Sequence, residues 1–158
     1  MAYDNDMADK CACNLIALLH TKCTRGMCSP RLFKTVANGL DSHYTMERIK
    51  WMRDFLTDSN QQIASGCLEC LVRHGMKLDE VSELIESRKD DRIFSYKVIE
   101  LAEKLNDPDT LLIFVEEDSA YLNRVILALK ATGNESYLTS LMLSDNETLA
   151  KAVNRMVK

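Results

Sequence analysis

The stretch Asp58-Ser-Asn-Gln-Gln-Ile63-Ala-Ser-Gly66-Cys67-Leu-Glu-Cys70-Leu71-Val-Arg-His-Gly75 reads as a turn, a helix and a stop. Asp58, Ser59 and Asn60 have short polar side chains that accept from backbone amides, so they suit a turn and an N-cap. Ile63, Gly66, Cys67, Cys70, Leu71 and His74 recur in steps of three and four, which places them on one helix face. Gly75 suits the left-handed backbone that ends many helices. Just upstream, Met46 to Leu56 forms another amphipathic segment through Ile49, Trp51, Met52 and Phe55. Together the two segments predict a helical hairpin.

The same pattern returns without gaps. With Asp58 as the first position, the equivalent starts are Lys89, Glu116 and Ser144, at spacings of 31, 27 and 28 residues. The sixth position is then Ile63, Phe94, Tyr121 and Leu149. The tenth is Cys67, Val98, Val125 and Val153. The thirteenth is Cys70, Leu101, Ala128 and Met156, and the fourteenth is Leu71, Ala102, Leu129 and Val157. All are apolar or Cys apart from the amphipathic Tyr121. A polar hinge precedes each long helix: TDSN, RKDD, EEDS and LSDN. A shorter apolar helix is expected before each hinge, over Met46 to Leu56, Leu78 to Ser87, Pro108 to Glu116 and Glu135 to Ser144. Pro108 fits a first helical turn, where a missing N–H costs little. Gly133-Asn134 is a stop between repeats.

Working outward, the chain of 158 residues has 46% hydrophobic and 28% charged residues, enough for one domain with a real core. Only five Gly and two Pro argue against an all-β fold built on tight turns. Residues 1–158 are therefore read as one all-α domain, an α-solenoid of four to five stacked hairpins. Residues 46–158 hold four repeats, 8–45 a degenerate first repeat, and 1–7 a disordered lead-in. Terminal repeats are expected to be atypical, because one face has no neighbour. The longest apolar runs, Leu111 to Val115 among them, fall far short of the roughly 20 residues of a membrane span. MAYDNDMADK has acids where a signal peptide is basic, so an intracellular protein, cytoplasmic or nuclear, is expected. The net charge of −4 disfavours nucleic acid as a partner.

The Asp hinge, the aliphatic residue five positions on, the small residues at nine and ten and the Gly at eighteen resemble HEAT and armadillo-like helical repeats. Asp58 to Gly75 carries the resemblance most closely, and Glu116 to Gly133 next. The period is shorter than the roughly 40 residues typical of those repeats. It looks more like short HEAT-like repeats, and the hinge Pro and basic residue of many HEAT repeats are missing. A second resemblance covers Asp118 to Leu138, which is similar to the last two helices of a caspase-recruitment domain. Leu127 to Gly133 and Tyr137-Leu138 carry it, while the helix expected from Pro108 does not fit it. The first resemblance implies a protein-binding scaffold or adaptor. The second implies a death-fold signalling module, and a HEAT-like enzyme or nucleic-acid binder is a third reading.

Chemistry-bearing residues are few. Cys11, Cys13, His20, Cys23 and Cys28 are zinc candidates, since zinc takes four thiolate or imidazole ligands. Their spacing matches no familiar site, and the alternative is core and loop cysteines. Cys67-x-x-Cys70 has the spacing of a redox pair but sits mid-helix on the core face. His20, His43 and His74 have no Ser or Asp partner at a recognisable spacing. The acid pairs Asp90-Asp91 and Glu116-Glu117 fall in hinges and read as solvated. No enzyme and no cofactor are expected.

In HEAT-like arrays the second helices line the binding face. Among the residues one step off the core stripe, those expected to bind a partner are Leu68, Tyr96, Ile99, Asn123, Ile126, Leu127, Lys130, Lys151 and Arg155. They predict an apolar track with a basic end, suited to a partner helix or peptide bearing acids. The alternative is that position eleven packs against the next repeat. The last helix, Glu147 to Lys158, has no polar cap beyond it and is expected to offer a surface for self-association.

Overall fold

The computed structural model describes residues 46–116 and 120–157. Among them are eight α-helices, one 3-10 turn and no strands, so the protein is all-α. The predicted helices of residues 8–45 lie outside the described residues. The chain divides into two compact units, residues 1–77 and 78–158.

In the first unit, α1 (Met46–Phe55) packs against α2 (Gln61–Arg73). Asn60 caps α2, its Oδ1 accepting from the amides of Gln62 at 3.0 Å and Ile63 at 3.3 Å. Asp58 Oδ1 accepts from the Asn60 amide at 2.7 Å, which sets the turn. The hairpin closes on Met52, Leu56, Ile63, Leu68 and Leu71, none more than 3% exposed.

The second unit starts with a 3-10 turn (Leu78–Val81) running into α3 (Ser82–Ser87). α4 (Arg92–Leu105), α5 (Pro108–Leu112), α6 (Leu122–Ala131), α7 (Glu135–Met142) and α8 (Glu147–Val157) follow. The long helices α4, α6 and α8 pack side by side in chain order, and α6 also touches α5 and α7. The core between them is Phe94, Val98, Ile99, Leu111, Phe114, Val125, Ile126 and Leu129, each 2% exposed or less. Full burial of each large side chain contributes about 1.5–3 kcal/mol.

The residues at the recurring apolar spacings are largely the buried ones. At positions six, ten, thirteen and fourteen every residue is buried except Tyr121, Met156 and Val157, which are half-buried. The helix ends recur at the same spacings. α2, α4 and α6 stop at Gly75 (φ 101°), Asn106 (φ 52°) and Gly133 (φ 72°), all at position eighteen. Each stop makes the same two bonds. Met76, Asp107 and Asn134 donate their amides to Leu71, Ala102 and Leu129, and the three left-handed residues donate to Val72, Glu103 and Lys130. That is a Schellman closure used three times.

Several polar contacts join residues 27 to 32 positions apart. The Asn134 side-chain Nδ2 donates to Asn106 Oδ1 at 2.8 Å, and the Tyr137 hydroxyl to Asp109 Oδ1 at 3.0 Å. Lys89 and Glu116, both first positions, form an ion pair at 2.9 Å. The Tyr121 hydroxyl donates to the Lys89 carbonyl at 3.1 Å.

Two short helices end sooner than their sequence suggests. α5 stops at Leu112, because the amides of Ile113, Phe114 and Val115 bond three residues back and tighten the chain into a turn. α7 stops at Met142 rather than Ser144.

Candidate functional site

Position on the helix wheel decides which of the predicted binding residues face outward. At about 100° per residue, positions six, ten and thirteen form one stripe, and seven, eleven and fourteen lie beside it. α6 is covered by neighbours on more than one side, so both stripes are needed as core. Ile99 (0% exposed) and Ile126 (1%) at position eleven are therefore buried, and Leu68 on α2, in the first unit, is also 0% exposed. The expectation that they form an exposed track is corrected: they pack inside and present nothing to a partner.

The other six predicted residues do face outward. Position eight gives Tyr96, Asn123 and Lys151, all exposed, and position twelve gives Leu127 and Arg155, also exposed. Lys130 at position fifteen is exposed as well. Because α4, α6 and α8 are neighbours, these positions form a face crossing the three helices. Leu127 is its most exposed apolar residue at 59%, and Tyr96 is 37% exposed.

Charge on this face is partly neutralised at its α4 edge. Glu100 accepts from Lys104 at 2.6 Å and Lys97 at 2.9 Å. The Lys104 bond, then the Lys97 bond, hold its carboxyl down at about 2. Glu103 on α4 pairs with Arg124 on α6. At the other edge the cations are less engaged. Lys151 has an exposed pair with Glu147, one turn earlier on the same helix. The Lys130 amine donates to the carbonyls of Met156 at 3.0 Å and Val157 at 3.2 Å, closing the C-terminus of α8. Arg155 makes no ion pair among the described residues.

Sequence reasoning missed a second feature, a cleft of about 510 Å³ between successive hinges, lined by Lys89, Asp90, Arg92, Phe114, Glu116, Ala120 and Tyr121. Tyr121 stands edge-on to Phe114 at 5.6 Å and to Tyr96 at 5.3 Å, and the Arg92 guanidinium lies 5.8 Å from the Tyr96 ring. The only signal for it was Tyr121, the one polar-tipped residue in an apolar register. The hinge acids are not all simply solvated. Glu116 pairs with Lys89, and Asp91 Oδ2 holds Arg88 at 2.6 Å, with the Arg88 guanidinium 4.7 Å from the Phe94 ring. Bonds to Glu86, then Glu116, raise the Lys89 ammonium above its ordinary range.

Cys67 and Cys70 are buried thiols on α2. Burial, then Cys70 and Asp58, push the Cys67 thiol up to about 12. A thiol held protonated is a poor nucleophile and a poor metal ligand. The zinc candidates Cys11, Cys13, His20, Cys23 and Cys28 lie outside the described residues. Among the described residues no cluster of three or more His, Cys, Asp or Glu could hold a metal, and no helix is long and apolar enough to cross a membrane. Set against family models, curated proteins and solved structures, the chain matches none.

Proposed function

We propose that the protein is a HEAT- or armadillo-like stack of helical hairpins acting as a non-catalytic protein-interaction module. A partner peptide or helix lies across the exposed face of α4, α6 and α8. The observation that carries this reading is the placement of Tyr96 and Leu127. Both are large and solvent-facing, at repeat positions eight and twelve, on two helices packed side by side. Ile93, Leu105 and Leu143 are exposed as well, so exposure alone does not mark a site; Leu127 and Tyr96 are distinguished by lying on adjoining helices, where a binding face can use such residues as anchors. The recurring hinges, Schellman closures and repeat-spaced hydrogen bonds support the solenoid part of the reading.

A photo-crosslinking residue placed at Leu127, with a control at the exposed Glu83 on α3, tests it in native extract. The expected result is a discrete adduct from position 127 that is absent from position 83 and lost when Tyr96 is changed to Ala. Adducts that are equal at both positions, or absent from both, would overturn the interaction reading. Filaments built on a six-helix bundle would instead favour the death-fold alternative.

A further inference from the structure

We infer that the occupant of this face is an acidic peptide segment with a bulky apolar residue, the apolar side chain resting on Leu127 and Tyr96 and the carboxylates meeting Lys151 and Arg155. The inference rests on the interaction reading above and adds the chemistry of the partner.

Three observations carry it. The first is an uneven charge distribution. The chain as a whole is acidic, with a net charge of −4, yet the α8 edge of this face presents Lys151 and Arg155, while Lys130 on α6 is already engaged by the last carbonyls of α8. The second is that these cations are available. Among the described residues Lys151 pairs with the exposed Glu147, a pair of the kind that contributes little, and Arg155 makes no ion pair. By contrast, the acids on the α4 edge, Glu100 and Glu103, are already held by Lys97, Lys104 and Arg124. A basic partner would have to break those pairs. The third is spacing. Leu127 on α6 and Arg155 on α8 share position twelve on helices that pack directly, and packed helix axes lie about 8–10 Å apart. An apolar side chain and a carboxylate two or three residues apart on one extended strand, or one turn apart on a helix, span that distance. The exposed Leu127 and Tyr96 favour a peptide over a nucleic-acid backbone, which offers phosphates but no aliphatic side chain.

Fluorescence polarisation with the full chain tests this. The probes are labelled 15-residue peptides carrying Leu or Phe among Glu and Asp, the same peptides with Lys in place of every acid, and a single-stranded RNA of equal charge. The acidic peptides are expected to bind, more weakly as salt rises, because exposed charges are screened. Lys151→Glu with Arg155→Glu should weaken them at least about tenfold and should admit the Lys peptides instead, a swap that follows from charge complementarity. Lys151→Gln with Arg155→Gln, which only removes charge, should weaken the acidic peptides without admitting the Lys peptides. Both positions are exposed, so circular dichroism should be unchanged in every variant. Equal binding of acidic and basic peptides, tighter binding of RNA, indifference to the charge reversal, or no peptide binding at all would overturn the inference. The adduct at Leu127 in native extract is a separate readout. An adduct without acidic-peptide binding leaves the interaction module standing and removes only this partner chemistry.

Discussion

Asn106 and Gly133 hold left-handed backbone, at φ 52° and 72°, at the ends of α4 and α6, and the Asn134 side-chain amide links the first of these stops to the second. An L side chain in that region costs about 1–2 kcal/mol, less for Asn. Gly133→Ala should therefore destabilise the protein by about 1 kcal/mol or more in urea denaturation. A Cβ there would meet nothing within 4 Å, so crowding cannot be the cause. Asn106→Gly should change stability by only a few tenths, since relief of the backbone offsets the lost link to Asn134. An unmoved midpoint for Gly133→Ala would show that the closure is not under backbone strain.

The same equivalence appears at the helix starts. Asn146 Oδ1 accepts from the amides of Thr148 and Leu149, both at 3.1 Å, as Asn60 does for α2. Ala at either position should cost about 1 kcal/mol, and Asp should restore most of it. Thermal melts of the four variants measure this. Loss in Asn60→Ala without loss in Asn146→Ala would mean that the two hinges are unlike.

The period, the hinges and the stripe at positions six, ten, thirteen and fourteen were legible because each is local: polar turn residues, then apolar residues at helical steps. Asn106 as a stop was not read, although Asn tolerates left-handed backbone where most residues do not. The predicted binding face was half legible. Tyr96, Asn123, Leu127, Lys130, Lys151 and Arg155 lie outward, whereas Leu68, Ile99 and Ile126 do not. A single amphipathic stripe describes a helix covered on one side. How wide the buried arc becomes depends on how many neighbours cover it, and that is a tertiary fact. The cleft at Lys89 and Tyr121 was hidden for the same reason, because its walls come from two hinges about a repeat apart.

Ile126 and Leu127 are adjacent in sequence and opposite in environment, 1% and 59% exposed. Ile126→Asp buries a carboxylate without a partner beside the lost packing, and should cost at least about 3 kcal/mol or abolish folding. Leu127→Asp should stay within about 0.5 kcal/mol of the parent. Denaturation midpoints decide between them. Equal tolerance of both changes would place position eleven outside the core.

Glu100 gives the acid limb of stability a specific contributor. Its carboxyl lies at about 2 in the folded chain, against an ordinary 4.5, because Lys104 and Lys97 favour the charged form. A lowered folded value means stability that is complete above about pH 4.5 and is lost as the pH falls toward 2. The side chain is 39% exposed, so solvent screening keeps the contribution to about 1 kcal/mol or less. Glu100→Gln should flatten the stability profile between pH 4.5 and 2 and change little at pH 2. An identical slope in parent and variant would show that the two lysines do not hold the carboxylate in solution.

Cys67 has the opposite sign at the alkaline end. Its thiol is pushed up to about 12 from 9.0, by burial first, so the folded chain keeps a proton that the unfolded chain gives up near pH 9. The corresponding stability is present below pH 9 and declines as the pH rises above it. The same two facts, burial and a high thiol value, govern reactivity. At pH 8 almost none of the Cys67 thiol is in the thiolate form, the one that attacks. Iodoacetamide should leave the peptide containing Cys67 unmodified in the native protein at pH 8 and alkylate it fully in urea, read by mass spectrometry. Slow native labelling should follow the opening of α2 and accelerate with denaturant. If Cys67 is alkylated within minutes in the native protein, the Cys67-x-x-Cys70 pair is solvent-accessible after all, and its reading as two small core residues fails.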